Sequence, residues 1–359
     1  MSFRKDYYGY RLTGVGQPLE RFEGRMDGPE AGEVVVRVAG CGVCHTDLGF
    51  ALDGVPTRKP LPLVLGHEIS GTVVAAGSGS AMGEGQDVIV PAVIPCGDCP
   101  ACLSGHSAIC RTQFMPGNDG DGGFASLVKV PARGLCPVPS VLPEGVALAD
   151  LSVVADAVTT PYEAILRAGL TADDVAVFVG AGGVGGFGVQ IAAAMGAAVV
   201  AIDIDVERLA MAGEHGAGLT LNVGEHDFKA IKGAVKQFRK ESGRTGIGLK
   251  VFETSGTPQG QQTAFGLVDF GGYLAVVGFT PKKVEIRLSN LMALDATARG
   301  NWGCPPERYP GAMDLVLSGK IKLGPFVKHF ALDETVKVME SVAAHTIKKR
   351  PVLVPDRNG

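Results

Sequence analysis

Residues 175–203 constrain the fold more than any other stretch of the chain. An apolar run, Val175-Ala176-Val177-Phe178-Val179, leads into Gly180-Ala181-Gly182-Gly183-Val184-Gly185, and a second apolar run ends at Asp203. G-x-G-x-x-G alone is a weak signal. Here it follows a predicted strand, opens a predicted helix at 184–195 and precedes a second strand at 198–202, which makes it strong. Such an alternation belongs to a doubly wound parallel sheet. Gly180 permits a tight turn, Gly182 lets the backbone approach a pyrophosphate, and Gly185 allows close packing of helix on strand. The helix beginning at Gly183 and Val184 offers free N–H groups to phosphate. Asp203 accepts hydrogen bonds from both ribose hydroxyls and repels a 2′-phosphate, so the expected cofactor is NAD. Arg208 either flanks the adenosine ribose or is a solvated helix residue. Two alternatives stand beside this reading: a glycine turn that binds no nucleotide, and a membrane span over the uncharged residues 175–202. The seven glycines in that stretch, and Asp174 and Asp203 at its ends, argue against a span.

A length of 359 residues suggests two domains. Residues 33–38, 71–75 and 87–90 read as short strands of an all-β domain, broken by Gly and Pro. The character changes near Asp150. A helix is predicted at 158–168, and further strands at 249–252 and 273–277. After about residue 300 the alternation stops, with a helix at 333–344 and a strand at 352–354 at the end. At 46% hydrophobic and 19% charged residues the chain builds a core rather than staying disordered. A net charge of −4 does not suit a nucleic-acid binder. No apolar leader follows Met1, so the expected location is the cytoplasm.

Four of the eight cysteines, Cys96, Cys99, Cys102 and Cys110, lie within one short segment. Without a secretion signal, such clustering favours a metal over disulfides. Four sulfurs complete a tetrahedral zinc shell and leave no open position, so this zinc is expected to be structural. An iron–sulfur cluster or unliganded thiols are the alternatives. Farther upstream, Cys44 in Gly42-Val43-Cys44-His45-Thr46-Asp47 and His67 in Gly66-His67-Glu68 supply a thiolate and an imidazole. Together they suggest a second zinc with an exchangeable position, the pattern for catalysis.

In these motifs the chain resembles the zinc-dependent medium-chain alcohol dehydrogenase family along nearly its whole length. Gly66-His67-Glu68-x2-Gly71-x5-Gly77-x2-Ser80 resembles the signature around the family's catalytic histidine. The resemblance implies a GroES-like catalytic domain over residues 1–157 that carries both zincs. It implies a Rossmann NAD-binding domain over 158–299, and a return segment over 300–359 that completes the first domain. The active site would lie in the cleft between them. Cys44 and His67 would hold the catalytic zinc, and Glu68 would sit close behind it and exchange with water. Thr46 would relay the substrate's proton, His45 would lie near the cofactor phosphates or on the proton path, and Asp47 would orient His67. Where many members have a third cysteine ligand, six residues before a tyrosine, this chain has Asp156. A carboxylate is an acceptable zinc ligand, or Asp156 only hydrogen-bonds within the site.

Within the family, the chain resembles the 6-hydroxycyclohex-1-ene-1-carbonyl-CoA dehydrogenases of anaerobic aromatic (benzoyl-CoA) degradation. The run Trp302-Gly303-Cys304-Pro305-Pro306 falls where members build a loop near the substrate. An acyl-CoA substrate needs cations for its phosphates, and Arg58-Lys59, Lys282-Lys283 and Lys348-Lys349-Arg350 are candidates, although each is equally a solvated surface. The rival readings are a dehydrogenase of another secondary alcohol or polyol, a zinc-free enone reductase on the same fold, and a silent NAD-binding protein. The resemblance also implies a homo-oligomer, a dimer or a tetramer.

Overall fold

The computed structural model describes residues 3–356. The chain divides into two compact units. One comprises the described parts of Met1–Thr159, Gly303–Leu317 and Phe326–Gly359, and the other comprises Thr160–Trp302 and Ser318–Pro325.

The first unit is largely antiparallel β-structure centred on the strand Glu33–Gly42. Val34, Val36 and Val38 enter its main core, while Val35 turns to a smaller cluster with Ala75 and Leu127. This is the two-residue alternation of a strand covered on both faces. Glu68–Ala76 pairs along one edge, with Glu68 opposite Gly42 and Ile69 opposite Cys41. Two strands share the other edge: Leu127–Pro131 covers residues 33–37, and Arg350–Val354 places Val352 opposite Gly42. A register shift between Val38 and Gly40 locally disrupts the ladder just before this crowded end. A Cβ on Gly42 would stand 2.0 Å from Glu68 Oε2, so only glycine admits the Glu68 side chain there.

The second unit is a six-stranded parallel sheet in the order Leu219–Asn222, Ala198–Asp203, Val175–Val179, Lys250–Glu253, Tyr273–Val276, Thr297–Gly300. The strand order reverses at Val175–Val179, which makes its C-terminal end the topological switch point where such sheets bind ligands. All five residues of that strand are buried, as a parallel strand covered on both faces requires. Gly180 adopts φ +101°, and the helix Gly183–Ala194 follows. The stretch that was long enough to span a bilayer is therefore strand, helix and strand. No helix among the described residues is long and apolar enough to cross a membrane.

The predicted helix at 333–344 is a 3-10 turn, Leu332–Glu334, followed by the helix Thr335–Ala343. The region after residue 300 also holds a helix the sequence reading did not expect, Tyr309–Leu317.

The packing at the glycine turn yields a stability contrast. A Cβ on Gly185 would lie 1.8 Å from the Gly180 carbonyl oxygen, whereas one on Gly233, in the helix Phe228–Glu241, would meet nothing within 4 Å. Gly185→Ala is expected to destabilise the chain by about 1–3 kcal/mol or more through overpacking. Gly233→Ala is expected to be neutral or to stabilise by about 0.5–1 kcal/mol. Thermal unfolding of the two variants checks the opposite signs.

Candidate metal centres and dinucleotide cradle

The four-cysteine segment folds around its own sulfurs. Cys99 precedes the short helix Pro100–Leu103, and Cys110 follows the 3-10 turn Ser107–Ile109. The Sγ atoms of Cys96 and Cys110 are 3.4 Å apart, Cys99 and Cys102 3.5 Å, Cys99 and Cys110 3.7 Å, and Cys96 and Cys102 3.9 Å. No two are joined as a disulfide. Zinc–sulfur bonds of about 2.3 Å place tetrahedral sulfurs about 3.8 Å apart, so the cluster fits a zinc ion. The Cys96 backbone N–H donates to Cys110 Sγ at 3.4 Å, which favours a thiolate.

The second cluster collects at the crowded end of Glu33–Gly42. The strand gives way at Cys44 to the helix His45–Ala51, whose first turn supplies Asp47. Asp47 is fully buried. Its Oδ2 accepts the Cys44 N–H at 2.8 Å, and its Oδ1 accepts the Gly66 N–H at 3.1 Å and lies 3.3 Å from His67 Nδ1. One carboxylate thereby links the loop bearing Cys44 to the loop bearing His67. Asp156 enters from the end of the 3-10 helix Asp150–Ala155. Its Oδ2 is 3.8 Å from Cys44 Sγ and 3.6 Å from His67 Nε2. Donor atoms of Cys44, His67, Glu68 and Asp156 all lie within 4.8 Å of one another. Burial alone would lower the His67 pKa, but Asp47, Asp156 and Cys44 outweigh it and hold the imidazole well above its usual value. A donor set that draws positive charge this strongly fits a cation.

Glu68 is turned to a different partner. Both its oxygens are engaged by the guanidinium of Arg350, with Nε to Oε2 at 3.0 Å and Nη2 to Oε1. Burial pushes the Glu68 carboxyl up to about 7 against the pull of Arg350. Arg350 is only 6% exposed and lies 4.0 Å from Asp156. This corrects its grouping with Lys348 and Lys349 as a surface cation for a phosphate. The missed signal was the apolar run Val352-Leu353-Val354, which makes Arg350 the first residue of a buried strand. Thr46 Oγ1 lies 3.6 Å from Cys44 Sγ. His45 is exposed and stacks on His345 with ring centroids 5.7 Å apart.

In the second unit the glycine turn is braced from two sides. Asp203 Oδ2 accepts the Ala181 N–H at 2.7 Å, and the Thr254 hydroxyl donates to the Gly180 carbonyl at 2.7 Å. Gly182 caps the helix that begins at Gly183 and Val184, and Gly185 lies within its first turn. The Arg208 guanidinium lies over this turn, 3.5 Å from where a Gly182 Cβ would be. Its Nε is buried without a hydrogen-bond partner among the described residues. An orphaned cationic donor beside a helix N-terminus fits a phosphate-bearing dinucleotide.

Comparisons with known proteins agree with this geometry. The family described as "Alcohol dehydrogenase GroES-like domain" matches residues 30–140, and "Zinc-binding dehydrogenase" matches residues 183–318. An alcohol dehydrogenase of Geobacillus stearothermophilus is 31% identical over 327 residues, covering 90% of this chain and 92% of the relative. Galactitol 1-phosphate 5-dehydrogenase of Escherichia coli (strain K12) is 27% identical, covering 90% and 92%. A putative zinc-binding dehydrogenase from Sinorhizobium meliloti 1021, solved bound to NADP, superposes with a TM-score of 0.85 at 27% identity, covering 98% of this chain and all of that one.

The Glu68–Arg350 pair carries a prediction. Breaking a buried pair leaves an uncompensated charge, so Arg350→Ala is expected to destabilise by about 3–5 kcal/mol. Removing both charges together, with Arg350→Met and Glu68→Gln, is expected to recover most of that loss. Urea unfolding of the zinc-loaded variants measures both.

Proposed function

Because the chain belongs to the zinc-dependent medium-chain alcohol dehydrogenase family, we propose that its substrate is 6-hydroxycyclohex-1-ene-1-carbonyl-CoA, oxidised to the 6-oxo thioester in anaerobic aromatic degradation in the cytoplasm. The protein is an oxidoreductase acting on the CH–OH group of a small molecule, with zinc and NAD as cofactors. The observation that supports the zinc-dehydrogenase part of this reading is the convergence of Cys44, His67 and Asp156, from three separate segments, on one point.

Cys44, His67 and Asp156 hold the catalytic ion, and Cys96, Cys99, Cys102 and Cys110 hold the structural one. When bound, the ion would supply Lewis-acid polarisation of the substrate hydroxyl and NAD would supply the hydride acceptor. Asp47 keeps the His67 ring oriented through Nδ1, which leaves Nε2 for the metal. Thr46 takes the hydroxyl proton and passes it on toward His45. Arg350 engages both oxygens of Glu68 and would hold that carboxylate behind the ion, in exchange with a place among its ligands. Gly180, Gly182, Gly183, Val184 and Gly185 seat the pyrophosphate, with Arg208 beside it. Asp203 retains acceptor capacity for the ribose hydroxyls and disfavours a 2′-phosphate.

Sequence resemblance supports the CoA thioester, and the Trp302–Pro306 run adds to it. The cation candidates narrow: Arg58 pairs with Asp119 at 3.0 Å and Lys59 with Asp121, while Arg350 is buried. Lys282, Lys283 and Lys349 remain and are exposed. A second reading, a dehydrogenase of a free secondary alcohol or polyol, is favoured by the likeness to galactitol 1-phosphate 5-dehydrogenase. We also propose that the chain works as a homo-oligomer. The edge strand Thr297–Gly300 is exposed along its length and follows the exposed Leu288 and Met292 in the chain, and an exposed edge strand is open to pairing with a second copy.

NADH formation with the CoA thioester, the free acid and simple cyclic alcohols decides between the substrates. The thioester is expected to turn over at least about a hundredfold more efficiently than the others, the discrimination that a few kcal/mol of binding gives. Equal or better turnover of the free alcohols discards the CoA reading.

A further inference from the structure

We propose that Tyr309 is a positioning residue for the third ligand of the catalytic metal, its buried hydroxyl fixing the segment that carries Asp156. The proposal rests on the reading of Asp156 as a zinc ligand.

Tyr309 opens the helix Tyr309–Leu317, and its side chain is completely buried. Its hydroxyl donates to the Ala155 carbonyl at 2.5 Å and accepts the Ala92 N–H at 3.2 Å. The Thr159 hydroxyl, 3.5 Å from the Asp156 carbonyl, is hydrogen-bonded to the same phenol. One hydroxyl therefore joins three pieces of chain: the segment after the strand Asp87–Val90, the end of the 3-10 helix Asp150–Ala155, and the start of the helix Thr159–Arg167. Asp156 lies between the last two, with φ −143° and ψ −60°. Burial holds the phenol well above its ordinary pKa, so it stays a donor.

A phenylalanine would fill the same volume, so packing alone does not call for the hydroxyl. The position of the Asp156 oxygen is set by its backbone together with two side-chain torsions, so fixing the neighbouring Ala155 carbonyl removes one source of play. Groups that orient ligands in this way are worth about 10–100-fold in metal affinity.

The test is Tyr309→Phe in the full chain, read by zinc dissociation against a chelator and by the visible spectrum of the cobalt-substituted enzyme. The expected result is about tenfold or greater weakening at one of the two ions, a shifted cobalt band, and full retention of the other ion. Unchanged affinity and an unchanged cobalt spectrum overturn the proposal. Asp156→Ala separates this outcome from failure of the ligand assignment. If Asp156→Ala keeps both ions with wild-type affinity, Asp156 is no ligand, and both readings fall. If it loses one ion and Tyr309→Phe does not, only the role of Tyr309 falls. Should Tyr309→Phe not fold, Thr159→Val touches the same network: a smaller loss in the same direction supports the proposal, and an unchanged dissociation constant overturns it.

Discussion

The carboxylate of Asp47 has no contact with solvent and is held on both oxygens, by the Cys44 N–H, the Gly66 N–H and the edge of the His67 ring. A buried charge persists only with such partners. Because those partners sit on two different loops, Asp47 fixes the thiolate of one against the imidazole of the other. The β-structure brings the loops near each other, since Gly42 pairs with Glu68, but strand pairing sets only backbones. Asp47 ties the backbone at Cys44 to the backbone at Gly66, beside His67.

The charges around it are unequal. Cys44, Asp47, Glu68 and Asp156 bring four acidic groups, and Arg350 brings one permanent cation. A cation held by Cys44, His67 and Asp156 would offset part of that excess. As a ligand, Asp156 would carry the same formal charge as a thiolate and, being harder, would leave the ion more electrophilic. Arg350 supplies the cation from a strand late in the chain, and its bidentate grip on Glu68 holds that carboxylate where Gly42 leaves space.

Much of this was legible in the sequence, for physical reasons that differ from motif to motif. The glycine turn announced itself because its constraints are local. The expected strand at 175–179, helix at 184–195 and strand at 198–202 are found as Val175–Val179, Gly183–Ala194 and Ala198–Asp203. The cysteine segment was equally readable, since all four sulfurs come from one short loop. Arg350 was not, because its partner is far away in sequence and a basic residue after two lysines reads as surface. Tyr309 was missed for the same reason: its hydrogen bonds run to Ala92 and Ala155, and the Pro305-Pro306 pair before it hid the helix. Val206–Glu214 and Phe228–Glu241 also went unread, being amphipathic helices rich in charge beside a sheet whose apolar strands dominated the pattern.

The central claim is that the chain holds one zinc in four sulfurs and another in a single sulfur with nitrogen and oxygen. Zinc X-ray absorption on the purified enzyme, with metal content measured on the same sample, tests it most directly. The account predicts two zincs per chain sharing five sulfurs, an average of two and a half sulfurs per ion. A single zinc per chain, or two zincs averaging three sulfurs or more, would contradict it.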